Sequence, residues 1–183
     1  MGSGRRVILL RVLSLLAVIA IVVFVYSISD RAEEFAVYGY PGIFIITMLA
    51  NATVFLPAPG VAVVFALGGV LNPLLVALAA GAGAAIGEMV GYLAGFSGQG
   101  LVENSESYRR IVAWVERYGA PAIFVFAALP NPFFDVAGLA AGILKMPVRK
   151  FMLACWAGET VKMLAFAYAG AGSLAWLQKY INP

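Results

Sequence analysis

The sequence predicts an all-α integral membrane protein, a helical bundle in which two opposed re-entrant hairpins form an inverted repeat. Three observations point there. The 183-residue chain is 63% apolar and only 11% charged, against roughly a quarter charged in an ordinary soluble domain. Residues 74–96 form an apolar run with Glu88 as its one charge, longer than the ~18 residues that mark a spanning helix. A motif also recurs: Tyr38-Gly39-Tyr40-Pro41-Gly42-Ile43-Phe44 returns as Tyr118-Gly119-Ala120-Pro121-Ala122-Ile123-Phe124, five of seven positions identical, and each copy precedes a double-proline break.

The first element is an apolar run over residues 12–28 behind Arg5, Arg6 and Arg11. It exceeds the ~7–15 residues of a signal-peptide core and no A-x-A site follows, so a retained helix is expected rather than a cleaved signal. Residues 1–34 are then an N-terminal transmembrane helix with an external linker. Residues 35–183 form the membrane domain, with halves at 35–96 and 120–178 around an amphipathic loop at 97–119.

The first half opens with an apolar segment, 43–71, broken at Pro57-Ala58-Pro59-Gly60. Proline inside a helix removes a hydrogen bond and clashes with the preceding turn. At about 1.5 Å per residue, the arms 43–56 and 61–71 are too short for a ~30 Å hydrocarbon core, so a hairpin that enters and leaves on one side is expected. The spanning run that follows carries Gly83, Gly87, Gly91 and Gly95 on one face, where another helix can approach closely.

Residues 99–118 place Tyr108, Ile111, Val115 and Tyr118 on one face and Glu106, Arg109, Arg110, Glu116 and Arg117 mostly elsewhere. That pattern is an amphipathic helix, lying at the interface or packed over the bundle. The second half repeats the break at Pro130-Asn131-Pro132. Later anchors pair Gly69 with Gly142 and Gly87-Glu88 with Gly158-Glu159. An odd number of crossings between the hairpins inverts the second copy.

The net charge of +3 is dispersed in small groups at the ends of apolar runs, which membrane topology explains and a nucleic-acid partner does not. With the N-terminus cytoplasmic, the inside segments hold Arg5, Arg6, Arg11, Arg109, Arg110, Arg117, Lys145, Arg149 and Lys150, and the outside only Arg31 and Lys179. The positive-inside rule favours that orientation. With no histidine and a single cysteine, Cys155, the chain has no imidazole metal site, Ser-His triad or internal disulfide.

Four ionisable residues fall within apolar stretches: Glu88, Asp135, Glu159 and Lys162. Each is costly in hydrocarbon, about 2.5–3.5 kcal/mol on insertion scales for Asp and Lys, so each should face the bundle interior or water. Glu159 and Lys162, three residues apart on one helix, can neutralise each other. Glu88 and Asp135 have no counter-charge at helical spacing. They must find one elsewhere or exchange a proton, which suits proton-coupled transport. Asp135 lies just past the second break, where freed backbone groups can hold an ion or a headgroup, and Asn131 and Asn51 can donate to the same site.

Leu129-Pro130-Asn131-Pro132-Phe133-Phe134-Asp135-x-Ala137-Gly138, with Tyr118-Gly119-x-Pro121 before it and Ala141-Gly142 and Met146-Pro147 after it, resembles the DedA superfamily of VTT (SNARE-associated) membrane proteins. The likeness covers residues 37–172 and is nearest to the YqaA-like branch. It implies two re-entrant helices pointing at each other and activity as a lipid flippase or scramblase. The expected function is therefore transport of a lipid or small amphipathic solute in the cell (inner) membrane, and no enzyme or cofactor is expected. Membrane lipids, protons as coupling ion and a second copy of the chain are the expected partners. A non-transporting assembly partner is the competing class.

Overall fold

The computed structural model describes residues 39–52, 59–97, 106–131 and 133–181, which are helices and their connecting turns with no strand among them. The expected N-terminal helix, Pro57, Pro132 and the start of the amphipathic stretch at 99–105 lie outside the described residues. The helices are α1 Gly39–Ala52, α2 Pro59–Gly68, α3 Pro73–Gly87, α4 Met89–Phe96, α5 Glu106–Tyr118, α6 Ala120–Ala128, α7 Phe134–Ile143 and α8 Val148–Ile181.

Proline sets where several of these begin. Pro73 takes the first position of α3, and the Asn72 side chain accepts hydrogen bonds from the backbone N–H groups of Leu74 and Leu75 at 3.0 and 3.3 Å. That cap satisfies donors no helix can satisfy internally. Pro59 and Gly60, expected at the first break, are the first two described residues of α2, and proline at a first helical position loses no hydrogen bond.

Helices α3 and α4 form one helical stretch, Pro73–Phe96, 24 residues long and apolar enough to cross a membrane. A turn at Glu88 interrupts it, although the Glu88 N–H still donates to the Ala84 carbonyl at 2.9 Å. The α3 helix packs between α1 and α8, α4 packs on α7, and α8 also takes α2 and α6. The short α5 lies over α6 and α7. Its Ile111 and Val115 are buried in the core with Phe134 and Phe151, whereas Tyr118, expected on that face, is exposed and stands edge-on to Trp114.

The glycine face of residues 83–95 meets two helices rather than one. A Cβ on Gly83 would strike the Phe44 carbonyl and the Thr47 hydroxyl of α1, and one on Gly95 would strike the Leu139 carbonyl of α7. Gly158 of α8 repeats the first contact with Phe124 and Ala127 of α6. Reciprocal pairs repeat too: Gly142 and Gly95 clasp α7 to α4 at Tyr92 and Leu139, as Gly68 and Gly170 clasp α2 to α8 at Ala167 and Phe65. These contacts match Gly83 with Gly158 and Gly68 with Gly142. The sequence instead paired Gly87 with Gly158 and Gly69 with Gly142.

Outside this small-residue interior the surface is apolar. Leu49, Leu93, Leu129, Leu153 and Tyr168 are each more than half exposed, an arrangement suited to lipid as solvent.

Candidate functional site

Glu88 occupies the turn between α3 and α4 and is almost wholly buried. Its neighbours on the helix explain how. One residue before it, Gly87 lets in the last turn of α1, at Met48 and Ala52. Three residues after it, a Cβ on Gly91 would lie 3.8 Å from the carbonyl oxygen of Asp135, in the first turn of α7. The ends of α1 and α7 nearest their respective breaks therefore converge on Glu88.

Glu159 and Lys162 come from α8. Glu159 is fully buried, and its Oε1 accepts a hydrogen bond from Lys162 Nζ at 2.6 Å. Its other oxygen, Oε2, has no hydrogen-bond partner among the described residues. Beside it, Gly158 packs on Phe124 and Ala128, the last turn of α6. An ion pair so placed trades a large desolvation cost against strong attraction in a weakly polarisable surround.

The four residues form one electrostatic cluster. The charges of Asp135, Glu159 and Lys162 all act on Glu88, and that of Lys162 also acts on Asp135. Asp135 is the most open member, exposed at the start of α7, where the positive end of the helix dipole favours a carboxylate. Among the described residues the direct contact of Lys162 is with Glu159, and its charge reaches Glu88 and Asp135 only through space. The cluster joins α7 and α8 to the α3–α4 turn.

The asparagines act locally. The Asn131 amide donates to the carbonyls of Phe126 and Leu129 at 2.8 and 2.9 Å, and its oxygen accepts from the Phe133 N–H at 2.9 Å. It thereby holds the turn between α6 and α7, beside the exposed Pro130. The Asn51 amide donates to the Thr47 carbonyl at 2.8 Å within α1.

Two polar residues at this centre were not singled out from the sequence. Tyr92 is buried, donates from its hydroxyl to the Met146 carbonyl at 2.6 Å and packs its ring 4.9 Å from that of Phe151. Thr47 is buried against Gly83 and donates to the Ile43 carbonyl at 2.8 Å. A polar side chain inside an apolar run was the available signal in both cases.

An apolar exterior around a buried ionic centre, with a helix able to cross a bilayer, defines a helical membrane protein. A sequence model of the VTT domain matches residues 56–172, and the chain belongs to this family, the DedA family. It is also similar to the uncharacterized membrane protein YhjE of Bacillus subtilis (strain 168), 27% identical over 71 residues. That match covers 39% of this chain and 34% of the relative, so the chain spans about a third of the curated protein it matches. No solved structure matches.

Proposed function

We propose that this chain is a polytopic transporter of the cell (inner) membrane that moves a lipid or small amphipathic solute past Glu88, Asp135, Glu159 and Lys162, with protons as the coupling ion. The observation that carries the reading is that Glu88, Asp135 and the Glu159–Lys162 pair stand where the break-proximal ends of α1, α7 and α6 meet the long helices.

Length supports re-entry. With 9 and 10 residues between described caps, helices α6 and α7 reach only about 14 and 15 Å, well short of a ~30 Å core. Packing supports an inverted repeat. Exchanging α1, α2 and α3–α4 for α6, α7 and α8 turns α1 on α3 into α6 on α8, and α2 on α8 into α7 on α4. On this reading each hairpin approaches the cluster from its own side of the membrane, with the N-terminus and α5 cytoplasmic.

The chemistry follows from the charge balance. Uptake of a proton by Glu88 or Asp135 changes the charge facing Lys162 by one unit, and Lys162 can then exchange partners. Two arrangements of one ion pair give a two-state element that a proton and a headgroup can both bias. Purified protein in liposomes should speed the flipping of a fluorescent phospholipid above the protein-free rate, with a rate that responds to an imposed proton gradient. Asp135→Asn, which keeps size and hydrogen bonding, should lower that rate at least tenfold. Flipping no faster than in protein-free liposomes would remove the proposal.

A further inference from the structure

Away from the ionic cluster, a cleft of about 590 Å³ opens where the end of α5, the start of α6 and the α7–α8 turn come together. Its wall is mostly apolar, with Val115, Pro121, Leu144 and Met146 among the lining, and two charged residues, Lys150 and Glu116, reach it. Tyr118 also lines it and carries the Arg117 guanidinium over its ring, 5.3 Å from the centroid. Lys145 stands in sequence between the lining residues Leu144 and Met146, and Arg149 beside Lys150; both are exposed.

The backbone adds an independent observation. Gly119 and Lys145 are the residues with positive φ in the described chain, at 60° and 52°, and both border this cleft. Glycine adopts that conformation freely, whereas a lysine does not. At Lys145 the chain closes the end of α7, with the Met146 N–H donating to the Ala141 carbonyl at 2.9 Å, the position where helices ordinarily place glycine. A cation is held there against backbone preference.

We propose that this cleft binds the headgroup of an anionic phospholipid. Lys150, Arg117 and Lys145 supply positive charge around an apolar wall that suits the glycerol and upper acyl chain. Exposed Trp114 and Tyr118 are the aromatic type that anchors at headgroup depth. Glu116 is the one opposing charge in the lining, so it tunes the affinity downward. The lining contains none of the four cluster residues, and its occupancy is read without measuring transport.

Trp114 is the reporter, because its ring lies 5.8 Å from that of Tyr118. In a Trp156→Phe/Trp176→Phe background, the protein is placed in phosphatidylcholine vesicles. Each vesicle set contains either phosphatidylglycerol or phosphatidylcholine brominated on its acyl chain as the quencher. Brominated phosphatidylglycerol should quench Trp114 at a several-fold lower mole fraction. Lys150→Gln and Lys145→Gly should each lower that preference about fivefold, the effect of one cation near a membrane surface, and Glu116→Gln should raise it. Arg109→Gln, on α5 outside the lining, should leave it unchanged. Equal quenching by the two lipids, or a loss with Arg109→Gln as large as with Lys150→Gln, would overturn the proposal by showing general surface attraction alone.

Discussion

Lys162 is the residue on which the interior balances. It bonds to Glu159 and also acts on Glu88 and Asp135, so the three acids depend on it unequally. Glu159→Gln takes the direct partner from a largely buried ammonium group and should cost about 3 kcal/mol, the low end for a broken buried pair. Lys162→Met removes the shared cation and should destabilise more. Combining the two changes should recover part of that loss, as thermal melting in detergent would record. The reverse order would show that Lys162 serves Glu159 alone. These four residues were legible in the sequence because charge inside an apolar run is costly and therefore conspicuous. Their meeting was not legible, since nothing local links Glu88 to Lys162. Asn131 was expected to donate to the site beside Asp135; its amide donates to the carbonyls of its own turn.

Helices here approach through glycine, and that sets both stability and register. A Cβ on Gly142 would meet the Tyr92 carbonyl and the Phe96 N–H group, both backbone. Gly142→Ala should therefore push α7 off α4 and cost about 1–3 kcal/mol, as overpacking does. Gly172→Ala, with open space around it, should be nearly neutral; equal melting temperatures for the two variants would contradict the packing described. Lys145→Gly relieves a left-handed lysine and should raise stability by roughly 0.5–1 kcal/mol, even though it removes a cation from the α5–α7 cleft. The glycine stripe was readable from four-residue spacing. Its two partners were not, because the spacing says only that something approaches. The repeated Gly-Glu dipeptide paired Gly87 with Gly158, whereas the contacts with Phe44 and Phe124 liken Gly83 to Gly158.

At the scale of the whole molecule, the short helices and the long ones divide the work: the short helices pack on α3–α4 and α8, and the ends of α1, α6 and α7 reach those long helices beside their buried charges. Composition and the broken apolar runs made the helical membrane class legible, since few other folds tolerate so little charge. The way the second half packs against the first was beyond reach, because it rests on pairings between residues such as Phe65 and Gly170. The charge distribution predicts α5 on the cytoplasmic side. A single cysteine at Arg109 in a Cys155→Ala background should resist an impermeant thiol reagent added to intact cells and react after permeabilisation. Labelling before permeabilisation would reverse the orientation. Whether Glu88 and Asp135 serve one transport site is decided by lipid flipping in liposomes for Glu88→Gln, Asp135→Asn and the double variant. Groups acting as a unit lose function non-additively, so the double variant should be no slower than the worse single variant. Losses that multiply in the double variant, or single variants that both flip at the wild-type rate, would contradict the account.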